Sequence, residues 1–250
     1  VGIVDLGLVA DFLSTTPKVL PRAIAIDHTA RHLALAHATT VALATTDDGA
    51  PPAVLAKTPD PVETLAWLDI AASAAESIEA VLLAGCSSGA LRGWAVSGAP
   101  VLSVRPHASP LRCLSVHSDS PFRDHSEVLA LFSEGSIAHA RGGELAHLLR
   151  GRMSPSDGQH GTPEDAFCVF DLGSRGSGFA SLASGGPLPT PPLELDRKPA
   201  GSPSTCVIVA DASSLQMHLV DTASAHEMRS AASIRERDSK QSTPPHSTAP

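Results

Sequence analysis

The hydrophobic positions between Arg22 and Gly151 occur in short runs that turn-forming residues separate. Each run has about five residues, which is the usual length of a β-strand. Long stretches with the period of about 3.6 residues that an amphipathic helix needs are missing from this region. The pattern therefore predicts a succession of short strands.

Four pairs of apolar runs repeat the same order of segments. In each unit, two apolar segments flank a turn, and a second polar turn follows them. Asp47, Asp48 and Gly49, for example, close the first unit. This alternation of apolar runs and turn residues predicts a β-hairpin at each pair. The pairs are His32–His37 with Val41–Ala44, Ala80–Gly85 with Ala90–Val96, Glu127–Phe132 with Ser136–Ala140, and Cys206–Ala210 with Leu215–Val220.

The first three pairs recur about every 45 to 50 residues, which is close to the WD-repeat period of about 40 to 45. A single sheet of this size cannot bury its own faces, so neighbouring units must stack around an axis. Closure of such a ring normally needs more units than four. We therefore expect an all-β, WD-repeat-like β-propeller that is incomplete, and Val1 in place of a methionine agrees with a processed chain or a piece of a longer one.

The expected organisation is one propeller-like domain over residues 1–229 and a disordered tail over 230–250. Glycine, proline and serine are concentrated at about 152–165 and 184–205, which predicts loose linkers there. The tail is rich in serine, threonine, proline and charged residues.

Three shorter segments outside the hairpins have some apolar pattern. Phe167–Phe170 and Gly178–Leu182 are expected to be strands between the linkers. Asp5–Leu13 fits either a short amphipathic helix that packs on the first unit or a strand.

Composition and charge exclude several classes of protein. The net charge of −8 argues against a nucleic-acid binder, which needs a clustered basic face. The longest apolar runs, such as Ala80–Ala84, fall far short of the roughly 20 residues of a membrane span, and no secretion signal is evident. We expect a cytoplasmic protein. Aromatic residues make up only 3% of the chain, so we also expect a modest core.

The four cysteines are widely spaced and form no Cys-x-x-Cys pair. Most of them adjoin aliphatic residues in strand-like runs, and this predicts reduced, buried thiols. The residues concerned are Cys86, Cys113, Cys168 and Cys206.

The string Gly85–Gly89 has the Gly-x-Ser-x-Gly form of a nucleophile elbow and follows an apolar run. A serine hydrolase using Ser87 would need a long helix immediately afterwards. Gly93 and the Ser97-Gly98 pair interrupt the sequence there, which favours a second strand. Serine also stands in the same turn of other units, so turn chemistry explains Ser87 without catalysis.

His28 and His32 are four residues apart, with His37 nearby, and on a helix this spacing could hold a metal ion. The segment Asp27–Arg31 is instead predicted to be a turn, where no such helical face exists. Three carboxylates, Asp47, Asp48 and Asp60, lie in predicted loops, and no apolar segment beside them indicates a pocket. The sequence therefore offers no site for acid-base catalysis. We expect no metal, no cofactor and no catalytic residue.

The second and third units resemble a known family in the order of their residues. Val81–Arg92 is similar to that family's strand, Ser-Gly turn and arginine-bearing strand, and Ser97–Leu102, Pro110–Leu114 and Glu127–Phe132 are similar to the segments that follow. The family is the non-catalytic, regulatory subunit of the Rab-three GTPase-activating complex, in its N-terminal part.

The likeness continues near the end of the chain. Asp211–Arg229 resembles a later hairpin of that family, which continues with a Trp-Lys-Gly-Tyr-Arg string. This chain has Ser230–Ile234 instead. The resemblance thus covers about residues 22–229, with gaps.

The resemblance implies a regulatory subunit that pairs with a separate catalytic chain, which supplies the GTPase-activating arginine, and that acts with it on Rab GTPases in vesicle traffic. The family is also linked to nucleotide exchange on Rab eighteen at the endoplasmic reticulum, where the protein would be peripheral. No catalytic residue transfers to this chain, and its partner-binding residues are unassigned. The alternatives are a generic WD-like propeller scaffold and the hydrolase that uses Ser87.

Overall fold

The computed structural model describes residues 21–27, 29–45, 52–70, 79–117, 127–141, 145, 149, 166–171, 181–187, 205–210 and 215–220. Strands account for most of these residues, and no helix within them has the length and hydropathy of a membrane span. In chain order the strands are β1 (Ala23–Ile26), β2 (His32–His37), β3 (Thr40–Thr45), β4 (Ala53–Lys57), β5 (Val62–Ile70), β6 (Glu79–Cys86), β7 (Leu91–Ala95), β8 (Pro100–Val104), β9 (Leu111–His117), β10 (Glu127–Phe132), β11 (Ser136–Arg141), β12 (Phe167–Asp171), β13 (Ser181–Pro187), β14 (Thr205–Ala210) and β15 (Leu215–Val220).

The strands form four antiparallel sheets, and in each sheet consecutive strands are neighbours. Sheet A contains β1 to β4, sheet B contains β5 to β8, and sheet C contains β9 to β12. Sheet D contains β13 to β15 within the described residues. Short turns can join such neighbours because antiparallel pairing needs no crossover connection.

The sheets pack on one another through their first strands. β1 contacts β5, β5 contacts β9, and β9 contacts β13. Three of these first strands also contact the second strand of the preceding sheet: β5 lies against β2, β9 against β6 and β13 against β10. This repeated relation is the stacking of propeller blades, and the predicted propeller-like all-β fold is confirmed.

Strand β6 packs on both of its faces and so connects sheet B with sheets A and C. Leu82, Ala84 and Cys86 on one face belong to the core shared with sheet A, whereas Val81 and Leu83 on the other face belong to the core shared with sheet C. A slip of one residue would exchange the two faces, so burial on both sides fixes the register. Each fully buried leucine stabilises the fold by about 1.5–3 kcal/mol.

The four predicted hairpins are confirmed as β2–β3, β6–β7, β10–β11 and β14–β15. They are the second and third strands of their sheets. Each hairpin is flanked by a first strand and, in sheets A to C, by a fourth, and of these only β12 and β13 correspond to strands predicted separately from the hairpins. β5 is the longest strand that the hydrophobic pattern did not predict.

One predicted linker begins too early. β13 runs through Pro187 and pairs with β14, so the first residues of the expected linker 184–205 belong to sheet D, as does Thr205. A backbone that can pair with a neighbouring strand is ordered by its hydrogen bonds even where its sequence is glycine-rich. The predicted strand at Gly178–Leu182 accordingly starts later, at Ser181.

The predicted strand Phe167–Phe170 is confirmed as β12, the fourth strand of sheet C. The predicted linker 152–165, the segment Asp5–Leu13 and the tail 230–250 lie outside the described residues. The domain limits at 1–229 stay a prediction.

Candidate interaction face

The turns between second and third strands lie at the same end of the sheets as the connections from one sheet to the next. This follows from the up-and-down path of four antiparallel strands, which returns the chain to one end after every second strand. We call this surface the linker face. It comprises Ala38–Thr39, Thr58–Pro61, Ser87–Gly89, Arg105–Pro110 and Ser133–Gly135.

The connection from sheet A to sheet B is fixed to the β2–β3 turn by main-chain hydrogen bonds. The Thr58 N–H donates to the Thr39 carbonyl oxygen, and the Val62 N–H donates to the Ala38 carbonyl oxygen, both at 2.8 Å. The Thr58 hydroxyl donates to the carbonyl oxygens of Thr39, at 3.1 Å, and Asp60, at 2.7 Å. These bonds hold the connection against its own sheet.

The same connection is also bound by the next sheet, and this contact repeats along the chain. The Ser87 N–H donates to the Pro61 carbonyl oxygen at 2.8 Å, and the Ser133 N–H donates to the Pro110 carbonyl oxygen at 2.9 Å. Ser87 and Ser133 therefore occupy equivalent turns, and Pro61 and Pro110 occupy equivalent connections. The linker face is a set of interlocked turns with shared geometry.

Ser87 lies in a hairpin turn and not in a nucleophile elbow. The Gly89 N–H donates to the Cys86 carbonyl oxygen at 3.0 Å, and the Cys86 N–H donates to the Ala90 carbonyl oxygen at 2.8 Å. β7 follows directly, where an elbow would need a helix. The prediction that a second strand follows this serine is confirmed, and turn chemistry accounts for its position.

Asp60 serves the linker face as a hydrogen-bond acceptor. Its carboxylate oxygen Oδ2 accepts a hydrogen bond of 2.8 Å from the Ser88 hydroxyl, which lies in the turn of the next sheet. The other two loop carboxylates of the sequence analysis, Asp47 and Asp48, lie outside the described residues.

The connection from sheet B to sheet C packs closely on Gly89. A side chain at Gly89 would collide with the carbonyl oxygens of His107 and Ser109. The Ser109 N–H donates a hydrogen bond of 3.2 Å to Nδ1 of the His107 ring, and the Ser109 hydroxyl oxygen lies 2.6 Å from the same nitrogen. The ring also lies 5.1 Å from the ring of Phe132. The turn and the connection thus form one packed unit.

A shallow depression of about 490 Å³ opens on the linker face between sheets A and B. Pro21, His37 and Val62 line it, and an ion pair lies at its wall. The Arg22 guanidinium donates to Glu63 Oε2 from Nη2 at 2.7 Å and from Nε at 3.1 Å. The depression has a polar edge and an apolar floor, as protein-binding surfaces commonly do.

At the opposite end of sheet A, the predicted turn Asp27–Arg31 is confirmed and contains a polar cluster. The buried Asp27 carboxylate accepts hydrogen bonds from the His32 N–H at 2.9 Å and from the Thr29 hydroxyl at 2.6 Å, and His32 Nδ1 lies 3.0 Å from its Oδ2. The backbone N–H and the ring of His32 therefore both contact Asp27 and belong to the structure of this turn. His28 lies outside the described residues.

The described residues contain no group of three or more histidine, cysteine, aspartate or glutamate side chains that could hold a metal ion. His37 ends β2 at the linker face, whereas His32 begins that strand at the other end. His28, the other member of the i,i+4 pair in the metal hypothesis, lies outside the described residues, so the His28–His32 pair stays untested.

The Asp27 carboxyl has a pKa below its usual value. Burial acts to raise this pKa, but the hydrogen bonds from the His32 N–H, the Thr29 hydroxyl and the His32 ring outweigh it. The sequence analysis missed this cluster. A signal was present, because an aspartate followed two residues later by threonine is typical of a turn that side-chain hydrogen bonds stabilise.

The cysteines agree with the prediction as far as they are described. Cys86 and Cys168 are buried and Cys113 is half-buried, and none of the three forms a disulfide. Burial raises the pKa of Cys86, although the nearby Arg92 acts to lower it. The side chain of Cys206 lies outside the description.

Comparison with known proteins gives a likeness in fold to solved structures. No protein-family model matches the chain, and no curated protein matches it. A chain in a crystal structure of the mitotic checkpoint complex superposes with a TM-score of 0.47 at 16% sequence identity. The match covers 80% of this chain and 48% of that one, so this chain spans about half the length of its neighbour.

Proposed function

We propose that the chain is a non-catalytic protein-interaction scaffold of the WD-like propeller type. The linker face carries this proposal. Main-chain hydrogen bonds there tie the first connection to the turns of sheets A and B, and the second connection to the turn of sheet C, so the surface is preorganised and little conformational entropy is lost when a partner docks.

Exposure on this face supports docking. Pro61, Ala108, Pro110 and Glu134 are exposed, and the Arg22–Glu63 pair borders the depression between sheets A and B. Proline and hydrogen-bonded turns keep these side chains in fixed positions. A partner would meet a rigid surface with apolar and charged groups side by side, which suits specific recognition.

Two matched substitutions test which end of the sheets binds. Ala108→Arg places a long charged side chain on the linker face, and Ala99→Arg places the same side chain at an exposed turn between β7 and β8 at the opposite end. A partner that co-purifies with the full chain is identified, purified and titrated against both variants. We expect Ala108→Arg to weaken binding about tenfold or more, and Ala99→Arg to leave it unchanged. Equal effects of the two variants would contradict the assignment of the linker face.

A narrower proposal names the complex. We infer from the resemblance at Val81–Arg92 and the segments after it that the chain is the regulatory subunit of a Rab GTPase-regulating complex. Its partners would then be the catalytic subunit and, through it, Rab GTPases in cytoplasmic vesicle traffic, with a peripheral place at the endoplasmic reticulum. The order of the matching strings is its support, and β6 and β7 are the strands that carry the longest of them.

The test of the narrower proposal is a pull-down of the full chain with the purified catalytic subunit of that complex. Specific co-purification that Ala108→Arg abolishes and Ala99→Arg preserves would support it. A folded chain that does not bind the catalytic subunit would remove the Rab assignment, and the scaffold proposal would rest on other partners.

A further inference from the structure

The depression on the linker face lies where the first strands of sheets A and B begin. Arg22 directly precedes β1, and Val62 and Glu63 are the first residues of β5. Its volume of about 490 Å³ falls within the range of about 300–1,000 Å³ that is usual for binding pockets. The depression therefore has room for side chains of a partner.

Main-chain hydrogen bonds fix the backbone on two sides of the depression. The Arg22 N–H donates to the Ala36 carbonyl oxygen at 2.7 Å, which extends the pairing of β1 with β2. The Val62 N–H donates to the Ala38 carbonyl oxygen at 2.8 Å, which joins the start of β5 to the β2–β3 turn. A site whose backbone is already fixed loses little conformational entropy when a partner fills it.

Apolar side chains form much of the lining. Val62 is buried, Pro21 is half-buried, and Ala38 and Pro61 are exposed. Contact with an apolar side chain of a partner would remove this surface from water, which is favourable.

The ion pair at the wall has one fixed member and one exposed member. The Glu63 side chain is 18% exposed, whereas the Arg22 side chain is 61% exposed. Nη2 and Nε of Arg22 both donate to the same oxygen, Oε2 of Glu63, at 2.7 and 3.1 Å. A carboxylate accepts hydrogen bonds at both of its oxygens, so Glu63 can bind a second cation at Oε1 while Arg22 stays at Oε2.

The charge of the whole chain favours the same kind of partner. The net charge of −8 attracts a basic segment and repels an acidic one over a longer range than direct contact. An acidic segment would also have to compete with Glu63 for Arg22. Local and overall charge thus both favour a cation in the depression.

We propose that the depression binds a segment of a partner protein in which a lysine or arginine is next to an apolar residue. The cation pairs with Glu63, and the apolar side chain packs on Pro21, Ala38 and Pro61. This inference rests on the scaffold proposal and deepens it, because it names the chemistry of the partner segment and the place on the linker face where it binds.

The experiment titrates the full, isotopically labelled chain with synthetic peptides and follows its amide chemical shifts. The probes are acetylated tripeptide amides with leucine on both sides of arginine, glutamine or glutamate. The amides of residues 37, 38, 62 and 63 report on the depression. We expect the arginine peptide to shift these amides and to bind about tenfold more tightly than the glutamate peptide, since it forms a charge-assisted hydrogen bond.

Three variants separate the two members of the ion pair from the general charge of the surface. Glu63→Gln keeps the shape of the side chain and should raise the Kd of the arginine peptide about tenfold. Arg22→Gln removes the competing cation and should leave this Kd unchanged or lower it. Glu134→Gln is the matched control, because Glu134 is an exposed carboxylate on the linker face in the turn of sheet C, and it should have no effect. The unshifted amides of each variant show that the chain stays folded.

Three results would overturn the inference. Tighter binding of the glutamate peptide, together with its loss in Arg22→Gln, would mean that the depression takes an anion. Equal losses in Glu63→Gln and Glu134→Gln would mean that the peptide responds only to the overall charge. No shift at residues 37, 38, 62 and 63 would mean that the depression binds no such segment.

Failure of this inference and failure of the scaffold proposal are distinguishable. Ala108 lies on the other connection, between sheets B and C. A partner that Ala108→Arg weakens and Glu63→Gln does not would preserve the scaffold proposal and remove this one. Equal effects of Ala108→Arg and Ala99→Arg would contradict the linker face as the surface that binds the partner, whatever the peptides do.

Discussion

The indole N–H of Trp67 on β5 donates a hydrogen bond of 3.2 Å to the backbone carbonyl oxygen of Ala25 on β1. This bond joins sheet A to sheet B through their first strands. The Trp67 ring also lies 6.0 Å from the ring of His32, which is bound to Asp27. The tryptophan therefore couples the turn of one sheet to the core of the next.

Trp67→Phe should keep most of the buried ring and remove the hydrogen bond to Ala25. Because the carbonyl oxygen then loses its side-chain donor, we expect the free energy of unfolding to fall by about 0.5–1.5 kcal/mol. Trp67→Ala should cost about 3–5 kcal/mol, since it also empties the space between the sheets. Urea unfolding of both variants measures these values, and a Trp67→Phe variant as stable as the wild type would mean that the hydrogen bond to Ala25 contributes nothing to stability.

The Asp27 cluster should make stability depend on pH in the acid range. The folded-state pKa of this carboxyl lies below its usual value of 3.8, so the unfolded chain binds the proton more readily. The stabilisation is complete above the unfolded-state pKa and is lost as the pH falls through the folded-state pKa. Asp27→Asn should lower the free energy of unfolding at pH 7 by about 1–2 kcal/mol.

Unfolding of the wild type and Asp27→Asn from about pH 2 to about pH 7 tests the sign of this effect, because this range brackets the usual value of 3.8. The gap between the two proteins should narrow as the pH falls. Thr29→Ala removes one donor to the carboxylate and should give a smaller gap with the same trend. A gap that stays constant with pH would show that the charge of Asp27 has no part in the effect.

The hairpins of sheets A, B and C could be predicted from the sequence because their second strands β2, β6 and β10 are buried on both faces. A run such as Val81–Leu83 is apolar without interruption, and the turn residues Ser87–Gly89 follow its strand. β5 could not be recognised in the same way. Its buried Leu65 and Trp67 alternate with half-buried positions, and its apolar contacts come from other sheets.

The linker face was less predictable than the fold. The turn containing Ser87 was evident from Gly85–Gly89, since glycine and serine favour turns. Its bond to Pro61 joins residues far apart in the chain, and no local pattern encodes such a pair. The same holds for Ser88 and Asp60, whose pairing depends on how two sheets stack.

Ser87 should not react with a fluorophosphonate probe. Such a probe labels a serine that a neighbouring base activates, and this serine lies in a hairpin turn where its N–H binds Pro61. Labelling of the folded chain, followed by gel fluorescence, should match that of Ser87→Ala. Labelling that Ser87→Ala abolishes would restore the hydrolase hypothesis.

Cys86 in sheet B and Cys113 in sheet C should differ in their reaction with a thiol reagent. Cys86 is buried and its pKa is raised, so little reactive thiolate forms at pH 7, whereas Cys113 is half-buried. We expect Cys113 to react first in the native protein. Mass spectrometry of partly modified chains identifies the site, and denaturant should remove the difference. Faster reaction at Cys86 would contradict its buried position.

Gly89 and Gly98 offer a matched test of how closely the linker face is packed. Both have a positive φ, 83° for Gly89 and 86° for Gly98, so alanine strains the backbone equally at either position by about 1–2 kcal/mol. A Cβ at Gly98 would meet nothing nearer than Leu55 at 3.6 Å, whereas a Cβ at Gly89 would collide with backbone oxygens of the next connection. Gly89→Ala should therefore destabilise the chain by about 1–3 kcal/mol more than Gly98→Ala does.

Urea unfolding of these two glycine variants measures the difference, and partner binding measures its consequence. Because Gly89 touches the connection that carries Ala108, its substitution should displace part of the linker face even where the chain stays folded. We expect Gly89→Ala to weaken the same partner that Ala108→Arg weakens, and Gly98→Ala to bind normally. If both glycine variants unfold alike and bind alike, the turn and the connection are not packed as one unit, and the preorganised surface on which the scaffold proposal depends does not exist.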